Sequence, residues 1–293
     1  MGTKVAVVPY HVDTGFHDFH DRINLPGNHR ETANARKDWI ASKLKPVYNI
    51  LDTFTLGSIP KYTALREHAD LDVMVVLHFG EHIEGKTPAE VLDDLRIMLG
   101  AGPGSVRRNG QAVTMRFKSW PNVDVVPASV RYADQEAKKV DYYSIPDMHR
   151  GEWLRTRPRK HSKAIASAAQ LNGLKFRQVI KMIKEWNRRQ EVQLQSYHIE
   201  VIALKMWHSF DDYSWAIYNW FEAAEENIWA CFHEGVDIVE YLDGKYTTVL
   251  EQLREARELA SDGWYLTYNG RDRHQEAYAK WRKIFGSKFP AYG

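Results

Sequence analysis

Asp70-Leu71-Asp72-Val73-Met74-Val75-Val76-Leu77 is an apolar run opened by two acids one residue apart. A short run of this kind predicts a buried β-strand, in which side chains at i and i+2 share a face. Asp70 and Asp72 therefore emerge together and can share one metal site. Further along, residues 112–117 predict a second run that turns at residues 119–122 and re-enters the sheet as Val123-Asp124-Val125-Val126, just ahead of Pro127. Asp124 joins the pair if the two strands are neighbours. Upstream, Gly57-Ser58 predicts a turn whose backbone N–H groups and hydroxyl can approach a triphosphate, glycine removing the Cβ that would obstruct it. Three carboxylates behind a Gly-Ser turn point to nucleotidyl transfer with two metals, which in such sites sit roughly 3.5 to 4 Å apart and clamp the attacking and leaving oxygens. Without a cation, packed acids repel and one is pushed towards protonation. An Asp-x-Asp alone is more often a solvated strand end, and Gly-Ser alone only a turn. Order, spacing and the third acid together favour the functional alternative.

The chain has 293 residues, enough for one large or two modest domains. Lysine and arginine total 40 against 38 acids, so the formal charge of +2 gives no global signature of a nucleic-acid-coating protein. Phosphate affinity must come from local clusters. The single cysteine, Cys231, excludes an intrachain disulfide framework and a multi-cysteine zinc site, and suits a reducing compartment. No apolar run approaches about 20 residues and no signal-peptide pattern opens the chain, so a cytoplasmic protein without membrane association is expected.

Phe16, Phe19 and Ile23 recur at helical spacing, and a second helix is predicted from about Asn28 or Arg30 to Tyr48, with Trp39, Ile40, Leu44 and Val47 inward. Strands are expected from about Thr53 to Val130, interrupted by a helix from about Thr87 to Leu99, with Pro88 in its first turn and Gly100 after its end. From Ala164 onward the pattern is helical, which sets a boundary near residues 155–163. Two helical segments matter chemically. Phe176, Val179, Ile180 and Ile183 form an apolar face beside Lys181 and Lys184, which are spaced to reach outward together towards triphosphate oxygens. Ser196-Tyr197-His198-Ile199-Glu200 opens another helix: Ser196 reads as its N-cap, with an incomplete capping box, and is also placed for an anion, while Tyr197 can stack on a base or join the core.

These residues resemble those of the bacterial cGAS/DncV-like nucleotidyltransferases, the CD-NTases of CBASS anti-phage systems, related to cGAS and oligoadenylate synthase. The matching pieces are Gly57-Ser58 followed by Thr63-Ala64, Asp70-Leu71-Asp72-Val73, Val123-Asp124-Val125-Val126-Pro127-Ala128, the Lys181 and Ser196 segments, and Trp281-Arg282-Lys283-Ile284-Phe285-Gly286 with Phe289-Pro290. The resemblance implies an α+β fold. A polymerase-β-like nucleotidyltransferase lobe with a mixed β-sheet (residues 1–163, including the N-terminal helices) packs on an α-helical lobe (164–293), the active site lying in the cleft. It implies that Asp70 and Asp72 bind both of two Mg²⁺ ions, or Mn²⁺, that Asp124 binds one near the attacking hydroxyl, and that Gly57 and Ser58 hold the donor triphosphate. Lys181 or Lys184 and Ser196 would assist, and Tyr197 would stack on the base. The chain departs from the commonest pattern at Lys61-Tyr62-Thr63, where a glycine often precedes the threonine.

The implied activity is joining of ATP or GTP into a cyclic di- or trinucleotide second messenger, with release of pyrophosphate and a downstream effector that responds to the product. The alternatives are nucleotide addition to an RNA end or a protein, which the near-neutral composition does not favour for RNA, and a non-catalytic nucleotide-binding module, which has no need of three acids. With one cysteine the zinc ribbon by which cGAS engages DNA cannot be built, so direct DNA sensing is not expected. The tail ending in Gly293 is expected to be mobile, and by the same resemblance would permit conjugation by an E1/E2-like enzyme. Other signals read as structure. His17-Asp18-Phe19-His20-Asp21 forms an amphipathic helix, and the glycines of residues 100–105 form a link without the Lys-Ser or Lys-Thr of a P-loop. Arg155, Arg157, Arg159, Lys160 and Lys163 form a solvated junction or, less favoured, a cleft lining, and Trp215, Trp220 and Trp229 pack a helical core.

Overall fold

The computed structural model describes residues 10–25, 29–67, 69–102, 104–107, 110–192, 194–206, 212–228, 232–233, 236–237, 242 and 244–293. The expectations for Asn28, Trp229 and Cys231 lie outside the described residues. The chain forms two compact units: Leu25–Ala64 with His68–Lys163, and the described residues of Met1–Asn24 with Leu65–Glu67 and Ala164–Gly293. The expectation that residues 1–163 form one lobe is corrected at its N-terminal end. Helix α1 (Val12–Ile23) belongs with the helices of the second half. The cause is its apolar stripe: Phe16 stacks edge-on against Trp281 at 5.0 Å and Phe289 at 5.1 Å, and Phe19 meets Phe285 at 4.7 Å.

In the sheet unit, α2 (His29–Leu44) is followed by β1 (Ile50–Leu56), the one-turn α3 (Ser58–Lys61), β2 (Leu71–Leu77), the short α4 (Phe79–His82) and α5 (Pro88–Leu99). Then come β3 (Val113–Met115), β4 (Val123–Asp134), β5 (Lys139–Asp147) and β6 (Glu152–Thr156). The strands form one six-stranded mixed sheet in the order β1-β2-β4-β5-β6, with β3 also paired to β4. Only β2 and β4 run parallel; every other pair is antiparallel. Alternation divides the two faces. Leu71, Val73, Val75, Val123 and Val125 pack on Ile40 and Leu44 of α2 and on Leu92, Leu95 and Leu99 of α5, whereas Met74, Val76, Val126 and Ala128 occupy the opposite face. Helix α5 starts and stops as its sequence predicts, on a Thr87–Glu90 capping box and a left-handed Gly100.

Strands extend to Thr156, beyond the expected Val130, and α2 ends at Leu44 rather than Tyr48. The late strands are polar: β5 and β6 contain Lys139, Asp141, Glu152 and Arg155, so their apolar alternation is weak. Two arginines of the basic run are ion-paired within the sheet unit. Arg157 pairs with Asp141 at 3.2 Å and Arg159 with Asp52 at 2.7 Å, while Arg155 lies over the Tyr142 ring.

Helix α6 (Pro158–Asn172) leads into the helical unit, built from α7 (Leu174–Arg189), α8 (Ser196–Lys205), α9 (Tyr213–Asn227), a two-stranded ribbon of β7 (Phe232–His233) and β8 (Val236–Asp237), α10 (Tyr246–Tyr265) and α11 (His274–Phe285). Residues 179–187 of α7 are buried without a break, because α1, α8, α9 and α11 surround that helix. Trp220 is fully buried, and Trp215 packs on Trp264 at 4.9 Å, so these aromatics are core. Just before the tail Phe289 is fully buried, and within it Tyr292, though exposed, meets the Tyr10 and Tyr278 rings. Among the described residues, no helix is long and apolar enough to cross a membrane.

Candidate active site

The parallel pairing of β2 with β4 places Asp72 directly opposite Asp124. Both even-numbered positions fall on the face away from α2 and α5, so the two carboxylates stand side by side on neighbouring strands about 4.8 Å apart. Asp70 is exposed and lies just before β2. The backbone on either side of it is fixed, since the Trp120 indole N–H donates to Ala69 O at 2.7 Å and Leu71 N–H to Asn122 O at 2.9 Å. Among the described residues, no three acidic, histidine or cysteine side chains form a ready-made metal site; the sheet register brings together the pair Asp72 and Asp124, and Asp70 bears on Asp72 electrostatically.

Two residues that sequence reasoning passed over complete the pair. Thr114 of β3 is opposite Asp124 in register and donates its hydroxyl to Oδ1 at 2.5 Å. Arg107, on the hairpin arm paired with β3 through Val106 and Val113, places Nη1 2.8 Å from Asp124 Oδ2 and 3.4 Å from Asp72 Oδ1. The alternation of a β-hairpin around residues 105–114 was the only signal for either. Asp124 is 1 % exposed, yet its Oδ2 accepts no hydrogen bond from a described residue, because Arg107 approaches it off the bonding direction. A buried carboxylate oxygen left without a hydrogen bond is costly unless a cation shares it.

The Asp72 carboxyl is pushed up to about 7, first by burial and then by the Asp124 charge; Arg107 and Lys61 oppose this and Asp70 adds to it. The sign for stability follows. The unfolded chain releases this proton near the ordinary 3.8 and the folded protein holds it to about 7, so the folded state carries the excess proton in between. Stability is therefore expected to fall as pH rises from about 4 to about 7 and to level off above, a slope that Asp72→Asn should flatten in denaturant titrations at matched pH. An unchanged slope in that variant contradicts the assignment.

Gly57 lies against the Asp72 carboxylate. Its φ is +76°, and a Cβ there would sit 1.9 Å from Asp72 Oδ2, so the turn needs glycine both for its backbone and for its approach to the acid. Ser58 opens α3, and Thr63 N–H donates to its carbonyl at 3.0 Å. Tyr62, where the sequence departs from the commoner glycine, adopts φ +62° in the left-handed region. Tyr62→Gly is expected to leave stability unchanged or raise it by up to about 1 kcal/mol in thermal unfolding, because glycine enters that region without the Cβ penalty. A loss larger than that contradicts this account of the loop.

The remaining candidates belong to the helical unit. Lys184 is held by Glu200, Nζ to Oε1 at 2.8 Å, with side-chain exposures of 5 % and 0 %. Lys181 donates instead to the neutral Asn24 Oδ1 at 2.6 Å, and is pushed down to about 8 by burial and by the Arg177 and Lys184 charges. Ser196 is corrected by one position: Gln195 is the N-cap of α8 and Ser196, exposed, is its first helical residue. Tyr197 is half-buried against the helical core. A cleft over Trp186, rimmed by Glu255, Glu258 and Lys283, contains none of the candidate residues.

Comparison with known proteins bears on the family and the fold. Residues 11–168, more than half of the chain, match the Second Messenger Oligonucleotide or Dinucleotide Synthetase (SMODS) domain. A Bacillus cereus VD146 protein named a probable cyclic nucleotide synthase is 22% identical, over 92% of this chain and 95% of its own length. The cyclic AMP-AMP-AMP synthase of an Acinetobacter strain is 22% identical, over 81% of this chain and 72% of that protein. Among solved structures, Escherichia coli MS115-1 CdnC with ATP superposes with a TM-score of 0.71 at 20% identity, covering 97% of this chain and 99% of that one. Vibrio cholerae DncV cyclic AMP-GMP synthase, with nonhydrolyzable GTP, gives a TM-score of 0.56 at 14% identity, covering 82% of this chain and 69% of that one. The fold is that of the CD-NTases, as the sequence implied.

Proposed function

The chain belongs to the Second Messenger Oligonucleotide or Dinucleotide Synthetase family, and from that premise we propose that it joins ribonucleoside triphosphates into a cyclic di- or trinucleotide messenger of CBASS anti-phage defence. The observation that carries the proposal is the paired register of Asp72 and Asp124, with the Gly57 turn packed against Asp72. A ribose hydroxyl of one nucleotide attacks the α-phosphorus of another, pyrophosphate leaves with its electron pair, the hydroxyl proton passes to a base, and a second transfer closes the ring.

The acids fit divalent metal. Asp124 offers a buried oxygen without a hydrogen bond, Asp72 lies beside it, and all donors are hard oxygens. Mg²⁺ is commonly held by one or two carboxylates together with substrate phosphates, so the pair could serve, and Asp70 would be the further ligand in this reading. Bound there, Mg²⁺ or Mn²⁺ would neutralise charge on the phosphates and the leaving pyrophosphate. Asp124 is the candidate for orienting the attacking hydroxyl, and Gly57 and Ser58 for the donor triphosphate.

In the helical unit Lys181 is a better phosphate candidate than Lys184, whose charge is already taken by Glu200. Ser196, exposed at the start of α8, and Tyr197 complete the nucleotide-contacting set in this reading. ATP and GTP as substrates, an effector switched by the product, and a protein partner such as the HORMA protein in the Escherichia coli CdnC:HORMA-deltaN complex are carried over as part of the same proposal. Residues 291–293 are exposed, which suits the further suggestion that Gly293 is conjugated by an E1/E2-like enzyme. Pyrophosphate release from mixed ribonucleotides with Mg²⁺, compared with and without added RNA, tests the reading. Release without RNA supports cyclic synthesis, and release only with RNA supports end addition.

A further inference from the structure

We infer that Arg107 is the resident counter-cation of the Asp72 and Asp124 carboxylates and exchanges with divalent metal for the same oxygens. The inference rests on the metal-dependent reading above and goes beyond it by assigning a role to a residue outside the predicted site. One guanidinium nitrogen, Nη1, contacts both acids, at 2.8 Å from Asp124 Oδ2 and 3.4 Å from Asp72 Oδ1. The oxygen it meets more closely is also the one that accepts no hydrogen bond from a described residue, and so the one a metal would claim. Two carboxylates in paired register repel, and either cation relieves that repulsion. With Nη1 2.8 Å from Asp124 Oδ2, the guanidinium fills the space that a divalent ion bound to that oxygen would need, so the two compete for it.

The geometry also allows the exchange. The Arg107 side chain is 44 % exposed, whereas Asp124 is nearly sealed, so the arginine can leave through solvent without opening the core. Its backbone stays fixed meanwhile: Arg107 N–H donates to Ala112 O at 2.8 Å, and Thr114 N–H to Ser105 O at 2.7 Å. Arginine in place of metal stabilises the folded chain, and the same contact weakens metal binding by competition.

The test is Mn²⁺ titration followed by electron paramagnetic resonance of the free ion, without nucleotide, on the full-length wild type, Arg107→Met and Asp124→Asn. Arg107→Met is expected to bind Mn²⁺ about tenfold or more tightly than wild type, as removal of a charge-assisted contact predicts, and to melt lower without metal. Asp124→Asn should lose the site. Arg107→Lys keeps the charge but not the reach to both acids, and should fall between wild type and methionine, which keeps the inference testable if Arg107→Met does not fold. Equal Asp124-dependent affinity in wild type and the Arg107 variants overturns the exchange and leaves the metal reading standing. No Asp124-dependent binding in any of them overturns the exchange, and repeating the titration with a nonhydrolysable nucleoside triphosphate then decides the metal reading, which falls if Asp124-dependent binding is still absent.

Discussion

Asp124→Asn is expected to lower product formation about a thousandfold, a loss of several kcal/mol of charge stabilisation, while the protein stays folded. The amide has the same shape, and its carbonyl oxygen can still accept the Thr114 hydroxyl that now donates to Oδ1. What it loses is the negative charge facing Arg107 and Asp72. A second readout separates this from general damage: with the neighbouring charge gone, the Asp72 carboxyl should titrate lower than about 7. Circular dichroism matching wild type, together with lost turnover, is the predicted pair of results. Turnover near wild type removes Asp124 from the chemistry.

Glu200→Ala is expected to cost about 3–5 kcal/mol of stability, because it strips a buried ammonium of its carboxylate. Both side chains of the Lys184–Glu200 pair are shielded from water, in the middle of helices whose apolar residues face the same core. The double variant Lys184→Met with Glu200→Leu should recover much of the loss, since an apolar pair of similar volume avoids the desolvation of both charges. Urea unfolding of the three proteins measures this, and a loss below about 1 kcal/mol in Glu200→Ala would mean that the pair is not the buried unit described.

The parts of this molecule that could be read from sequence are those written in short periods. The apolar run of β2 fixed its strand identity and the place of Asp72, while Asp70 falls just ahead of the strand, and the Val123–Val126 stretch announced β4. Their parallel pairing was a condition in the sequence argument and became a fact only in the sheet. Nonlocal partners were not legible. Arg107 and Thr114 meet Asp124 through a hairpin 10 or more residues upstream, and neither carries a local pattern that marks it. Glu200 could have been found, since an acid between Ile199 and Val201 of a buried helix demands a partner. The division of the chain misled for the same reason: α1 reads as an amphipathic helix, but only the aromatic cluster of Trp281, Phe285 and Phe289 shows which unit it joins. Strands β5 and β6 hid because their polar residues leave little apolar alternation.

The measurement that bears most directly on the central claim is mass spectrometry of phosphatase-resistant products after incubation of the purified protein with all four ribonucleoside triphosphates and Mg²⁺ or Mn²⁺, with Asp72→Ala in parallel. A cyclic oligonucleotide mass in the wild type, absent in a folded Asp72→Ala protein, is the predicted result and identifies the bases used. The same cyclic product from Asp72→Ala would contradict the assignment of the paired carboxylates to catalysis.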